Sequence, residues 1–108
     1  MADRTWKAVE RAIAKFFPNG QRRGADFRSE DTGKTDIISD GWAIEVKHSK
    51  RPTYGLMVEA FEQAERNRTK PEDIPIAVVH KAGDRYEESL VIMRLDFFAQ
   101  FFINQTEE

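Results

Sequence analysis

Asp36-Ile37-Ile38-Ser39-Asp40-Gly41-Trp42-Ala43-Ile44-Glu45-Val46-Lys47 is the stretch whose reading decides the fold. Asp36 to Ser39 is a short apolar strand, Asp40-Gly41 is a turn dipeptide, and Trp42 to Lys47 is the returning strand. Alternation places Trp42, Ile44 and Val46 on one face and Ala43, Glu45 and Lys47 on the other. Pairing across a tight turn at Asp40-Gly41 brings Asp36 back towards Glu45. Two acids and a lysine then meet in a mostly apolar setting. Such a grouping is costly unless a cation or a reaction uses it.

Upstream of the hairpin, Asp3 or Thr5 can cap a first helix running to about Phe17, with Trp6, Val9, Ile13, Phe16 and Phe17 on one stripe. Pro18-Asn19-Gly20 ends it. Gln21 to Phe27 reads as a weak strand interrupted by Gly24, and Ser29 to Thr35 as a polar loop. Downstream, residues 48–53 form a basic connection broken by Pro52. Tyr54 to Arg68 is a second helix with an apolar face of Leu56, Met57, Ala60, Phe61 and Ala64. Pro75 to His80 is an apolar run rich in β-branched residues, expected as a buried strand. Ser89 to Arg94 is a further strand, and Asp96 is placed to cap a last helix carrying Phe97, Phe98, Phe101, Phe102 and Ile103. The four phenylalanines read first as core and second as a subunit interface. The order α-β-β-β-α-β-β-α predicts an α/β fold, a mixed central sheet flanked by helices, in one domain over 1–108.

Composition narrows the function classes. With 108 residues, 40% hydrophobic and 33% charged, the chain suits one modest globular core. No cysteine is present, so disulfides, thiolate metal sites and cysteine nucleophiles are excluded. The polar start and the lack of a long apolar run predict no membrane and an intracellular, cytoplasmic location. The glycines match no phosphate loop, and no base is placed for Ser49 as a nucleophile. Net charge is −2, so global charge does not announce a nucleic-acid binder. Local charge is more suggestive: Arg22, Arg23 and Arg28 cluster, and Lys47-His48-Ser49-Lys50-Arg51 is a basic run.

Two carboxylates within a few ångströms repel each other unless a hard cation lies between them. Mg²⁺ takes one or two carboxylates together with waters and substrate phosphate. Asp36 and Glu45 therefore form a candidate metal site, to which the Val46 carbonyl can add an oxygen. Lys47 would orient or deprotonate an attacking water, or stabilise charge developing on phosphorus. The plain alternative is a cross-strand salt bridge. Glu10 lies inside or at the edge of the first helix's apolar stripe, so it is a candidate third acid; its alternative is an edge glutamate whose stem packs while its head reaches water, or one paired with Arg11 or Arg4. Gln63 lies near Leu56 and Ala60, either as a packed border residue or as a polar contact to the site or substrate. His48 can touch phosphate, whereas His80 reads as structural or exposed.

Taken together, Glu10 in a first amphipathic helix, Asp36 opening a strand, Glu45-x-Lys47 in the next, and a helix and buried strand after them resemble the PD-(D/E)xK nuclease superfamily. The likeness spans residues 4 to 94 by element order. Small size makes the chain most similar to the Holliday-junction resolvases of archaea and their phage-encoded relatives. The proline of the family name is Thr35 here, and junction binders are usually basic where this chain is mildly acidic. The resemblance implies a restriction-endonuclease-like core and Mg²⁺- or Mn²⁺-dependent hydrolysis of DNA phosphodiesters. It implies Glu10, Asp36 and Glu45 as acidic metal-site residues with the Val46 carbonyl, Lys47 acting on water, and Gln63 assisting. The partners it implies are branched DNA and a second copy, as a homodimer, with Arg22, Arg23, His48, Lys50 and Arg51 as DNA contacts. Two other functions remain open from sequence: a restriction-like or repair nuclease on duplex, flap or single-stranded DNA, and a non-catalytic DNA-binding or assembly protein.

Overall fold

The computed structural model describes residues 5–23 and 35–103. Helix α1 (Thr5–Ala14) is followed by strands β1 (Gln21–Arg22), β2 (Ile37–Ser39) and β3 (Trp42–Ser49), helix α2 (Tyr54–Asn67) and strand β4 (Ile74–Lys81). A 3₁₀ turn (Tyr86–Glu88), strand β5 (Leu90–Ile92) and helix α3 (Leu95–Phe98) complete the described chain, α3 continuing into a wider π-type turn (Ala99–Ile103). The five strands lie side by side in chain order, with β3 and β4 parallel and every other neighbour antiparallel. The protein is thus α/β with a mixed sheet, as the pattern predicts. No helix among the described residues is long and apolar enough to cross a membrane.

The hairpin closes in the expected register: Ile37 opposite Ile44, Ile38 opposite Ala43 and Ser39 opposite Trp42. Gly41 takes φ +86°, a backbone region that glycine enters without steric penalty. The β3–α2–β4 crossover starts at Thr53, whose hydroxyl accepts from the Leu56 amide at 3.1 Å and caps α2. β4 is buried from Pro75 to His80, the interior strand expected of that apolar run.

Two layers of helix cover the sheet. On one face, Val9, Ile13 and Ala14 of α1 pack on Ile37, Ile44, Val46, Ile76 and Val78. Ile37, Ile44 and Ile76 are fully buried, each contributing about 1.5–3 kcal/mol through removal of apolar surface from water. On the opposite face α2 lies over β3 and β4, where the buried residues are small: Ala60 and Ala64 of the helix above Ala43 and Ala77 of the sheet. Such residues let the helix approach closely.

Several boundaries differ from the sequence pattern. α1 ends at Ala14, not Phe17. The amides of Lys15, Phe16 and Phe17 bond the carbonyls three residues back, which tightens the chain out of the α-helix. Gly20 then sits so close to the Ala14 carbonyl that a Cβ has no room. Trp6 and Phe16 are exposed, so the buried stripe of α1 is narrower than its apolar pattern. β1 covers only Gln21–Arg22, and Arg23 already lies outside the strand; the remainder of the expected strand from 24 to 27, the loop from Ser29 to residue 34, Asp3 and Arg28 lie outside the described residues. β5 covers three residues of the six expected. Asp96 does not cap α3: Arg94 holds the cap position, and Asp96 sits inside the first turn, accepting from the Phe97 amide and pairing with Arg94. None of Phe97, Phe98, Phe101 and Phe102 is buried, so the core placement first expected of them does not occur.

Candidate active site

The site is assembled where the β2–β3 hairpin opens. Just before the last paired residues, Ile37 and Ile44, the Asp36 amide donates to the Ile44 carbonyl at 3.0 Å, which holds Asp36 against the start of the Glu45-x-Lys47 segment. The Val46 amide donates to Asp36 Oδ2 at 2.8 Å, so the backbone of the Glu45-x-Lys47 segment itself orients the aspartate. In a strand the N–H and C=O of one residue point to the same side, so the Val46 carbonyl also faces the Asp36 edge.

Glu45 is 6% exposed, and its Oε1 is buried without a hydrogen-bond partner. Burial first, then the neighbouring Asp36 charge, a hydrogen bond with Asp36 and a smaller push from Glu10, with Lys47 opposing them, together raise its carboxyl to about 8. At neutral pH Glu45 therefore holds a proton in place of a second negative charge beside Asp36. Lys47 is half-buried two residues along the same face, close enough for its charge to act on Glu45.

Gln63 lies between Ala60 and Ala64 on the buried side of α2, and its Oε1 is also buried without a partner. A lost or unmade hydrogen bond at a buried oxygen costs about 1–3 kcal/mol. Two such oxygens on elements that face each other are acceptors lacking a donor. A hard divalent cation takes oxygen ligands from carboxylates, amide side chains and backbone carbonyls, so the donor set of Asp36, Glu45, Gln63 and the Val46 carbonyl fits Mg²⁺ or Mn²⁺.

Glu10 is drawn elsewhere. It is buried at 8% on α1, and its Oε1 accepts from Arg22 Nε at 2.8 Å. Arg22 in turn lies over the Trp6 ring, 5.1 Å from its centroid. Glu10 is thus felt at Glu45 as charge. No three His, Cys, Asp or Glu side chains among the described residues form a ready metal cluster, and the expected three-acid set is seen as a pair.

The expected DNA contacts separate into two groups. Lys50 and Arg51 are exposed on the connection after β3. Arg23 is in the interior, 3% exposed, donating to the Thr35 carbonyl and, at 2.9 Å, to Thr35 Oγ1. It anchors the start of β2 and does not belong to an exposed basic surface. Arg22 is occupied by Glu10 and Trp6.

His48 Nδ1 lies 2.9 Å from His80 Nδ1, and His80 Nε2 donates to the Asp84 carbonyl at 2.8 Å. The second bond fixes the His80 tautomer, so His48 donates and His80 accepts. Burial and the neighbouring His80 lower the affinity of His48 for a proton. His48 is therefore a neutral structural partner at pH 7 and no phosphate cation. The sequence carries no signal for this pair, because it arises from the parallel register that sets His48 beside His80. Arg22 and Arg23 likewise read as one basic cluster although alternation sends them to different partners.

Comparison of the chain with protein-family models, with curated proteins and with solved structures finds no match in any of the three.

Proposed function

We propose that this chain is a divalent-metal-dependent DNA endonuclease with a restriction-endonuclease-like core, selective for branched DNA in the manner of a Holliday-junction resolvase. The observation that carries the reading is the Asp36–Glu45 carboxyl pair, with Glu45 Oε1 buried and unpartnered beside it. Asp36, Glu45 and the Val46 carbonyl would hold Mg²⁺ or Mn²⁺, with the unpartnered Gln63 Oε1 of α2 as a further oxygen ligand. The ion supplies positive charge to the scissile phosphate and makes nearby water more acidic. Asp36 is held in place by the Val46 amide, so its carboxylate needs little reorganisation when Glu45 gives up its proton. Lys47, on the same face, would orient the attacking water and offset charge gathering on the phosphate oxygens. Water adds to phosphorus, the bridging P–O bond breaks, and the leaving oxygen takes up a proton. Lys50 and Arg51 would contact the backbone of the substrate. Cutting a junction symmetrically requires two copies of the site, so a homodimer belongs to this reading.

The test is cleavage of a four-way junction and a linear duplex of the same sequence, with Mg²⁺ and at matched salt. The junction is expected to be cut faster, and Asp36→Asn and Lys47→Ala to lose about 10³-fold in rate. Equal cutting of both substrates would move the function to a restriction-like or repair nuclease. If neither DNA is cut and both variants behave as wild type, the nuclease reading is wrong.

A further inference from the structure

The β5 edge of the sheet and the segment after it present apolar surface that the described residues leave uncovered. β5 pairs with β4 through Ala77–Ile92, Val78–Val91 and Val79–Leu90, and it is the last strand of the sheet. Its outer edge is lined by Leu90 and Val91, 57% and 58% exposed. Side chains alternate across a strand, so exposure of two neighbours on opposite faces marks an open edge. Next to it, α3 and the π-type turn present Leu95, Phe98, Phe102 and Ile103, all exposed, with Phe98 and Phe102 forming a ring pair at 5.7 Å. A groove of about 330 Å³ runs beside them, floored by Phe17, Trp42, Ile76, Val91 and Met93 and flanked by that ring pair.

We propose that this surface is the site at which a second copy of the chain docks, β5 against β5 across a two-fold axis. Three observations select that occupant. Apart from Leu90 on the other face, the exposed residues Val91, Leu95, Phe98, Phe102 and Ile103 present together on the order of 500 Å², within the range of the largest patches monomers expose and more than half of the ~800 Å² per partner that a stable interface buries. An open edge strand is satisfied by another strand, and antiparallel pairing of one strand with its own copy is isologous, as a two-fold dimer requires. The exposed charges around the patch are of both signs, with Arg85 and Arg94 among Glu87, Glu88 and Asp96. A rim of one sign would repel its own copy, whereas a mixed rim can pair with itself. The same balance disfavours an anionic lipid surface, which needs a basic face.

The surface is argued from exposure, edge geometry and charge, and it goes beyond the nuclease reading by naming where the two copies meet. The experiment uses neither DNA nor metal, so failure of this inference leaves the cleavage assay untouched, and the reverse. Sedimentation velocity of the full chain at micromolar concentration is expected to give twice the 12.5 kDa of one chain. Phe98→Glu with Phe102→Glu, and separately Leu90→Lys with Val91→Lys, are expected to halve that mass while leaving the circular dichroism unchanged. Should either pair unfold the chain, Val91→Cys keeps the question open to measurement, because the protein has no other thiol. Its oxidation is expected to trap a covalent dimer on a non-reducing gel. A wild-type mass of one chain, a dimer that survives both folded double variants, or a Val91→Cys protein that stays monomeric on oxidation would overturn the proposal.

Discussion

The two faces of the sheet are built on different rules. The α1 face is filled with branched aliphatics, and its one buried acid, Glu10, is matched by Arg22. The α2 face is lined by alanines and carries Glu45 and Gln63, each with an oxygen that nothing in the described chain satisfies. Tight packing on one side supplies the stability that an under-satisfied polar pocket on the other side consumes. The contrast runs along a single strand: on β3, Ile44 and Val46 pack towards α1, whereas Ala43 and the under-satisfied Glu45 face α2.

The contrast can be broken first on the packed face. Ile44→Ala removes a fully buried side chain between α1 and the sheet, and is expected to destabilise by about 3 kcal/mol in urea unfolding. The site face should behave in the opposite sense. Glu45→Gln removes an acid whose folded affinity for a proton lies far above its unfolded one. Because that value is raised, its contribution to stability is fully present below the ordinary carboxylate range near 4.5 and is lost as pH rises through about 8. Wild type is therefore expected to lose stability across that window. Glu45→Gln should flatten the profile and exceed wild type above it by about 2 kcal/mol in metal-free buffer. A profile for wild type that is already flat would show that Glu45 is not strained by its setting. The smallest effect concerns the exposed connection. Lys50→Ala and Arg51→Ala are each expected to weaken DNA binding by about 1 kcal/mol and to reduce the salt dependence by about one charge, with stability unchanged.

Much of this plan was legible in the sequence because it is local. The Asp40-Gly41 turn and the alternation around it define the β2–β3 register, which ends at Ile37–Ile44 and leaves Asp36 beside the Glu45-x-Lys47 segment, where the Val46 amide holds it. The Pro75–His80 run announces an interior strand through its β-branched residues. What was not legible depends on contacts distant in sequence. Whether an arginine is buried or exposed is decided by its partner: Arg23 by Thr35 twelve residues on, Arg22 by Glu10 twelve residues back. The His48–His80 pair spans 32 residues and exists only because β3 and β4 run parallel. Phenylalanine spacing in the last helix is the same for core and for exposed surface, so Phe98 and Phe102 carry no local mark of their exposure. Glu10 was correctly read as turned inward, yet its ion pair with Arg22 could not be seen from its own helix.

In the proposed reading, a divalent cation displaces the proton that Glu45 holds at neutral pH. Calorimetric titration of Mn²⁺ at pH 7, in two buffers of different ionisation enthalpy, tests it most directly, because metal binding at protonated ligands releases protons. One ion per chain is predicted, with release of about one proton, tighter binding as pH approaches 8, and loss of both signals in Glu45→Gln and Asp36→Asn. Binding without proton release, or binding that persists unchanged in both variants, would contradict the account.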